Sequence, residues 1–329
     1  MSLLNKASLV LTPNAVKASK LYSVIPTDGT GDFILVRNTT ATRINADGLV
    51  ESVSANVPRL NYDSVGGNPS LLLEIQRTNF VLNSDTVVSQ SITTTAAART
   101  LTFYGTGTIT LSGTFSGSLV GTGANNRVLL TFTPTSGTLT LTISGAVNKG
   151  QLEIGTYSTS YIPTTNASAT RNQDALSKTG ISNLTGVDEG TFFFEGSFLN
   201  SILTAGSAVA ISDGTSNNNL QFFALANNSS IVRIIFNANS TSIINQASIS
   251  IPDIGQNFKI AICYKSGDTR VYLNGVLKAT FTNTFSGSNF TRVGFDSGTG
   301  GGVFFGKNKS LQVYKTALTD AECITLTTL

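Results

Sequence analysis

The sequence predicts an all-β protein in which an N-terminal region is followed by two antiparallel β-sandwich (jelly-roll) domains. Short runs of alternating apolar and polar residues recur along the chain, and Gly, Asn and Asp turn residues separate them. Charged residues make up only 12% of the chain, so Thr, Ser, Asn and Gly must form most of the solvated surface. Threonine is β-branched and fits the half-buried surface of a sheet, which agrees with the strand pattern.

The first region, residues 1–82, carries strand signals without the pattern of a self-contained core. We expect strands at residues 33–36 and 49–53, with Asp47 and Gly48 forming a hairpin turn between them. Irregular, extended pieces separate these signals. We therefore expect this region to be stabilised by packing on a partner or on identical copies of itself.

The middle region, residues 83–174, has the clearest strand rhythm, with strands expected at residues 100–104, 107–112, 127–132 and 138–144. The last of these alternates threonine with Leu139, Leu141 and Ile143. The alternation predicts that the threonines face solvent and the aliphatic residues face a core. Many short strands with evenly spaced turns favour an antiparallel sandwich.

The third region, residues 175–329, repeats this rhythm with more aromatic residues. Asn274 and Gly275 form the strongest hairpin signal of the chain. Thr319 and Glu322 fit a capping box, which predicts a short closing helix. Strands are expected at residues 191–198, 220–224, 231–236, 258–264, 270–273, 303–305 and 310–314.

Composition argues against several classes of function. The chain contains no histidine, which removes the usual general base of Ser-His-Asp and Cys-His sites and the commonest zinc ligand. Glu195 has no carboxylate two residues away on its strand, and no Glu-x-Asp run occurs, so we expect no enzyme. The 21 basic residues are scattered, which argues against nucleic-acid binding. No apolar stretch approaches the roughly 18 residues of a membrane span, so no membrane insertion is expected.

We expect no cofactor. Asp213, Asp268 and Asp296 lie in predicted loops and are candidate Ca²⁺ ligands, but turn formation explains them more simply. Cys263 and Cys323 are expected to be buried thiols, and one disulfide between them stays open as an alternative.

The third region resembles the concanavalin-like (laminin-G-like) lectin domains. The resemblance rests on residues 258–264, on residues 270–275 with their Tyr-x-Asn-Gly hairpin, and on the closing run 310–322. Sugars are held by aromatic faces and amide hydrogen bonds, so Tyr264, Tyr272, Asn274 and Phe295 are the candidate glycan-binding residues. Core packing is the alternative for each aromatic residue among them.

Other runs resemble fiber, appendage and adhesin proteins of tailed bacteriophages. They are residues 1–7, 20–24, 37–43, 58–62, 70–79, 151–155 and 159–164. In those proteins the middle region looks like a carbohydrate-binding-module jelly roll. The resemblance implies a virion protein, a homotrimer, whose first region attaches to other virion proteins of the particle. Head fiber and tail fiber both stay open.

These observations together predict a structural phage virion protein that displays β-sandwich modules for adhesion to bacterial surface glycans. The alternative is a purely structural capsid decoration or adaptor protein without glycan binding. The opening residues lack the pattern of a signal peptide, so we expect synthesis in the host cytoplasm, and an exported bacterial lectin is disfavoured. Arg43 and Arg77 are expected to tie loops to carbonyl groups, with ligand contact as the alternative, and residues 161–163 to be a strand that ends at a proline.

Overall fold

A computed structural model describes residues 3–63, 65–199, 206–225, 228 and 230–329. Every strand pairing in these residues is antiparallel, which confirms the predicted all-β class. The predicted closing helix, α1 (Asp320–Thr327), is present, and Thr319 and Glu322 form the capping box. No helix in this described part of the chain is long and apolar enough to cross a membrane. Short 3₁₀ helices lie at Leu3–Lys6, Pro13–Ala15 and Ser182–Leu184.

The first region contributes short strands. They are β1 (Leu9–Leu11), β2 (Val16–Lys17), β3 (Lys20–Leu21), β4 (Ile34–Val36), β5 (Ala41–Ile44), β6 (Val50–Val53), β7 (Leu60–Asn61), β8 (Ser70–Leu73) and β9 (Arg77–Asn79). The predicted turn at Asp47 and Gly48 is present, but it joins β5 to β6, so the pairing expected for residues 33–36 was wrong. The side chain of Asn45 accepts hydrogen bonds from the backbone N–H groups of Asp47 and Leu49, which fixes this turn.

The middle region forms a sandwich with its own core. Its strands are β10 (Gln90–Thr94), β11 (Arg99–Gly105), β12 (Thr108–Gly113), β13 (Gly117–Val120), β14 (Gly123–Phe132), β15 (Gly137–Ser144) and β16 (Val147–Ile154). One sheet has the order β10-β15-β12-β13 and the other β14-β11-β16. Leu139 and Leu141 are fully buried and Ile143 packs against the same core, as the alternation on β15 predicted.

The third region supplies most of a second, larger sandwich. Strand β17 (Ala169–Arg171), near the end of the middle region, pairs with β9 in a separate two-stranded sheet. The strands of the third region are β18 (Ala175–Thr179), β19 (Glu189–Phe198), β20 (Ser207–Ser212), β21 (Asn219–Ala224), β22 (Ile231–Ala238), β23 (Thr241–Ser250), β24 (Phe258–Lys265), β25 (Thr269–Leu273), β26 (Val276–Phe281), β27 (Arg292–Gly294) and β28 (Gly306–Tyr314). The sheets have the orders β26-β25-β24-β19-β28-β8-β7 and β23-β22-β21-β20-β27-β18-β4. The strand predicted at residues 303–305 was wrong: Phe304 is a buried loop residue that packs its ring on Phe194, and β28 begins at Gly306.

Strands of the first region complete both sheets of this larger sandwich. β1 and β8 both pair with β28, and β4 pairs with β18 at the edge of the other sheet. Leu9, Leu11, Leu71 and Leu73 are buried in the same core as the phenylalanines of the third region. The partner on which the first region was expected to pack is therefore the third region of the same chain.

Five charged side chains of the first and middle regions form a cluster, called here the buried ion cluster: Arg37, Arg59, Glu74, Arg171 and Asp174. Their side chains are at most 3% exposed. Arg59 lies between the two acids, with its Nη1 2.6 Å from Glu74 Oε2 and its Nη2 2.5 Å from Asp174 Oδ2. Arg37 pairs with Asp174 and Arg171 with Glu74.

The middle region is joined to the buried ion cluster through Ser160. Its backbone N–H and its hydroxyl group both donate to the carboxylate of Glu74, each over 2.7 Å. Because a buried charge is tolerated only when it is paired and hydrogen-bonded, these contacts fix the relative positions of the first region, the middle sandwich and the segment that follows it.

Candidate functional site

Three of the four residues predicted to bind a glycan lie inside the protein. Tyr264 is fully buried, and Tyr272 and Phe295 are each 1% exposed. Tyr264 Oη donates to the carbonyl oxygen of Gly186 over 3.0 Å, and Tyr272 Oη donates to Asp320 Oδ1 over 2.5 Å. Their ring faces are covered by protein, so they offer no stacking surface to a sugar, and the core-packing alternative describes them.

Asn274, the fourth candidate, is a turn residue. Its φ is +49° and that of Gly275 is +79°, the combination that a tight two-residue hairpin between β25 and β26 requires. Its side-chain Oδ1 accepts a hydrogen bond from the backbone N–H of Lys259 over 2.9 Å. The side chain is therefore engaged in holding the hairpin against β24.

The aspartates considered as calcium ligands have partners within the protein. Asp213 accepts hydrogen bonds from Thr215 and Asn218, Asp268 lies 3.4 Å from Arg270 Nε, and Asp296 pairs with Arg292. Among the described residues, no group of three Asp, Glu or Cys side chains is arranged to hold a metal ion. The expectation of no cofactor stays a prediction.

Residues from all three regions line a cleft of about 280 Å³, called here the junction cleft. Its lining combines hydroxyl groups, three cations and one partly apolar wall. The lining residues are Thr42, Arg43, Ile44, Val50, Asn61, Leu72, Glu74, Tyr104, Arg127, Ser158, Thr159, Ser160, Tyr161, Leu199 and Lys307.

The middle sandwich supplies the aromatic and cationic floor of the junction cleft. Tyr104 of β11 and Arg127 of β14 are direct cross-strand partners. Because Phe103 points into the sandwich core, its neighbour Tyr104 must point to the opposite, outer face of the sheet. The guanidinium of Arg127 lies 6.0 Å from the centroid of the Tyr104 ring. Burial raises the pKa of Tyr104 although Arg127 lowers it, so its hydroxyl group stays protonated.

Arg127 differs from the other two cations of the cleft because no carboxylate neutralises it. Its Nη1 donates to the carbonyl oxygen of Thr159 over 2.6 Å and its Nη2 to Thr102 Oγ1 over 2.8 Å. Its Nε has no hydrogen-bond partner, and no carboxylate among the described residues lies within 4.0 Å. Arg43 pairs instead with Glu51, and Lys307 with Asp63.

Glu74 is the single carboxylate in the lining of the junction cleft, and it already has partners. Burial alone would raise its pKa, but the guanidinium groups of Arg171 and Arg59 lower it to about 2. Both oxygens accept hydrogen bonds from Ser160 or these arginines. A glycosidase needs a second carboxylate across the cleft. The lining therefore suits binding through hydroxyl and guanidinium donors better than acid–base chemistry.

A larger groove, the hairpin groove, lies on the first region and measures about 650 Å³. It is lined by Thr12, Asn14, Ala15, Lys17, Tyr22, Ser23, Val24, Thr27 and Asp32. Strand β4, which follows it in the chain, is the edge strand of its sheet, and Ile34 and Val36 on it are 66% and 47% exposed. An exposed apolar edge strand is a surface on which another chain can add a strand.

The sequence also predicted the contacts of Arg43 and Arg77 and a strand at residues 161–163. Arg43 and Arg77 were expected to donate to loop carbonyl groups. Arg77 Nη1 does donate to the carbonyl oxygen of Gln76 over 3.4 Å, and its Nε lies 3.6 Å from Glu153, whereas Arg43 pairs with the carboxylate of Glu51. The strand expected to end at Pro163 is a loop, because side chains and not a neighbouring strand bond its backbone: Thr42 Oγ1 donates to the carbonyl oxygen of Tyr161, and the N–H of Ile162 donates to Gln151 Oε1.

Sequence reasoning missed Tyr104, Arg127 and Lys307. Each of them lies on a strand that the sequence predicted at least in part. The cleft itself forms only because the three regions pack against one another. The one local signal was Arg127, the single charged residue of β14.

Residues 199–323 match the family model described as the concanavalin A-like lectin/glucanases superfamily. The larger sandwich is thus of the concanavalin-like type. No curated protein sequence matches the chain.

Several solved structures resemble part of the chain. The carbohydrate-binding module (CBM40) of the Ruminococcus gnavus IT-sialidase, bound to α2,3-sialyllactose, has 19% identity and a TM-score of 0.36, over 44% of this chain and 84% of that one. Domain 4 of the arabinanase AbnA from Geobacillus stearothermophilus, in complex with arabinotriose, has 17% identity and a TM-score of 0.35, over 52% and 82%. The binding domain of botulinum neurotoxin serotype G has 14% identity and a TM-score of 0.37, over 46% and 39%. All three scores are below 0.5, so they carry no argument about a ligand.

Proposed function

We propose that this chain is a non-catalytic, carbohydrate-binding β-sandwich protein of a bacteriophage particle, part of a head or tail fiber or appendage. The observation that carries the carbohydrate-binding part is the match of residues 199–323 to the lectin and glucanase superfamily. The phage part is supported by the sequence runs that resemble virion appendage proteins, and by a surface composed of Thr, Ser, Asn and Gly.

The junction cleft is the proposed glycan site. Arg127 and the hydroxyl groups of Tyr104 and Ser158 supply hydrogen-bond donors to sugar oxygens, and Lys307 adds a cation from the matched domain. A cleft of this size contacts only a short stretch of glycan, so a single site binds weakly. Several copies on one particle would raise the overall affinity without new contacts.

Binding of the multivalent protein to bacterial surface polysaccharides tests this proposal. The biotinylated full-length chain is assembled on streptavidin and applied to an array of such glycans. We expect Arg127→Gln to lower the apparent affinity roughly 10- to 150-fold, because a charge-assisted hydrogen bond is worth roughly 1.5–3 kcal/mol.

Arg233→Gln is the matched control. Arg233 lies on β22, far from the junction cleft in the sheet order, and donates to Gln246 over 2.7 Å without a carboxylate partner in the described residues. We expect it to bind as the unmodified protein does. Equal binding by both variants, or no glycan bound by the multivalent protein, would reject the junction cleft as the site.

We also propose that the chain forms a homotrimer and is held in the particle by contacts of its first region with other virion proteins. The exposed apolar edge of β4 supports assembly on this side of the molecule. Deleting residues 1–82 would remove strands from both sheets, so point substitutions are the cleaner test. Light scattering should give a trimer for the unmodified chain and a monomer for the double variant Ile34→Lys, Val36→Lys.

The control for this test is Val276→Lys. Val276 is 52% exposed on β26, the edge strand of the other sheet. It should stay trimeric. A monomeric unmodified chain would contradict the trimer, and would favour a protein that is organised only by its partners.

A purely structural decoration or adaptor protein is the second candidate function. Two observations favour it: the aromatic residues expected to stack on sugars are core residues, and the buried ion cluster ties the first region to the middle region. Specific glycan binding that is lost in Arg127→Gln would decide against it.

A further inference from the structure

The two cysteines of the chain meet inside the protein although 60 residues separate them. Cys263 lies on β24 and Cys323 on α1, and both are fully buried. Their Sγ atoms are 2.6 Å apart. A chain with only two cysteines thus brings both sulfurs to one point, within roughly 0.6 Å of the length of a disulfide bond.

The cysteine pair lies beneath the closing helix. α1 covers the face of the sheet opposite to the main core, where it packs with Phe193, Ala261, Tyr314 and Leu318 in a separate cluster. Around this contact the helix is held by polar bonds at its two ends. Tyr272 Oη donates to Asp320 Oδ1 at the first turn, and the Gly275 N–H donates to Thr327 Oγ1 at the last, over 3.1 Å.

The chemistry of the two thiols is asymmetric. The hydrogen bond from Cys323 lowers the pKa of the Cys263 thiol, and the same bond, together with burial, raises the pKa of Cys323. Because the thiolate is the nucleophile in thiol–disulfide exchange, Cys263 is the sulfur that reacts first.

We propose that Cys263 and Cys323 form an intramolecular disulfide that locks α1 onto β24 when the protein meets a low-molecular-weight disulfide. The Cys263 thiolate attacks one sulfur of that molecule, and a mixed disulfide forms while one small thiolate leaves. The Cys323 thiol then loses its proton and attacks Cys263 Sγ, which releases the second small thiol. The protein gives up two electrons and two protons, and the small disulfide is reduced to two thiols.

Access to the buried pair follows from the size of the helix. α1 has only eight residues, and short elements of this kind detach locally at a fraction of the global unfolding free energy. The oxidant reaches Cys263 during these openings. Once the bond is made, the helix can no longer detach.

The timing of the bond rests on the proposed function. Cytoplasmic thiols are kept reduced, whereas disulfides persist in extracellular surroundings. A virion protein made in the cytoplasm and released by lysis would carry two thiols before release and a disulfide afterwards. The bond itself depends only on the geometry of the pair, so its formation is tested independently of glycan binding.

The test uses the full chain, purified in reductant, freed from it and divided between buffer and oxidised glutathione. Each sample is denatured, alkylated and weighed by mass spectrometry. We expect two alkylated cysteines before oxidation and none afterwards, with one peptide pair that links Cys263 to Cys323. The midpoint of thermal unfolding should rise on the order of 5–10 °C, and proteolysis within α1 should slow.

Cys263→Ala is the control, since it lacks the sulfur that reacts first and should unfold at the same temperature with and without oxidant. Two alkylated thiols in a folded, oxidant-treated chain would overturn the proposal, as would a mixed disulfide with glutathione or a cross-linked dimer as the main product. An internal disulfide that changes neither the unfolding midpoint nor the cleavage of α1 would overturn the lock.

Discussion

Replacing Asp174 by Asn removes one charge from the buried ion cluster while keeping the side-chain volume. Asp174 receives hydrogen bonds from Arg37 Nη1, from Arg59 Nη2 and from the backbone N–H of Glu74, over 2.9, 2.5 and 2.8 Å. An amide in its place leaves Arg37 without an anionic partner at a site of zero exposure. Breaking a buried ion pair from one side costs about 3–5 kcal/mol.

Urea unfolding followed by far-ultraviolet circular dichroism measures this cost, since the chain has no tryptophan for fluorescence. We expect Asp174→Asn to lose about 3–5 kcal/mol of unfolding free energy. It should also split one transition into two, because the two sandwiches have separate hydrophobic cores.

Glu189→Gln is the control for this substitution. Glu189 pairs with Lys265 at 3.7 Å on the surface, where a pair contributes about 0–1 kcal/mol. An Asp174→Asn protein within about 1 kcal/mol of the unmodified chain would refute the reasoning, because the cluster would then contribute no more than a surface pair.

Three further predictions concern stability. The pKa of Glu74 is lowered from 4.5 to about 2, so its ionised form contributes about 3 kcal/mol to the unfolding free energy above pH 4.5, and this contribution is lost as the pH falls towards 2. Measured against pH, the stability of Glu74→Gln should therefore fall less steeply in this range than that of the unmodified chain. Equal curves would contradict this. Phe194→Ala should cost about 3–5 kcal/mol in urea unfolding because its ring packs on three others, whereas Leu129→Ala, at a residue 56% exposed, should cost almost nothing. Gly275→Ala should lower the unfolding free energy by about 1 kcal/mol, because φ is +79° and a Cβ there would lie 3.1 Å from the Thr328 hydroxyl oxygen. An unchanged urea midpoint would show that alanine is accommodated at this turn without backbone strain.

Local sequence patterns predicted the strands and the closing helix well because these depend on neighbouring residues. The alternation on β15 indicates which side chains face the core, and the capping box of Thr319 and Glu322 is a contact over three residues. The pairing of residues 33–36 failed because their partner, β18, lies about 140 residues further along, and no local signal specifies it.

The candidate site was beyond local reasoning for the same reason. Tyr264 and Phe295 were chosen because they are aromatic residues in or beside strands, but such positions are inward on a sandwich whose sheets face each other. Arg127 and Lys307 were not predicted as site residues because nothing near them in the chain indicates that they line one cleft. The five charges of the buried ion cluster are spread from residue 37 to residue 174, and only packing shows that they neutralise one another.

The pairing of β1 and β8 with β28 has a consequence for the order of folding during synthesis. Residues 9–11 pair with residues 311–313, so a strand made early waits for one that is made about 300 residues later. At roughly 5–20 residues per second, translation takes on the order of 15–60 s to cover this interval. During this interval the apolar strands β1 and β8 lack their pairing partner, β28. The strands of the middle sandwich are all synthesised by then, so this sandwich can fold on the ribosome. A chain stalled before β28 would therefore carry one folded sandwich and one set of unprotected sheet edges, and would depend on chaperones to stay out of aggregates.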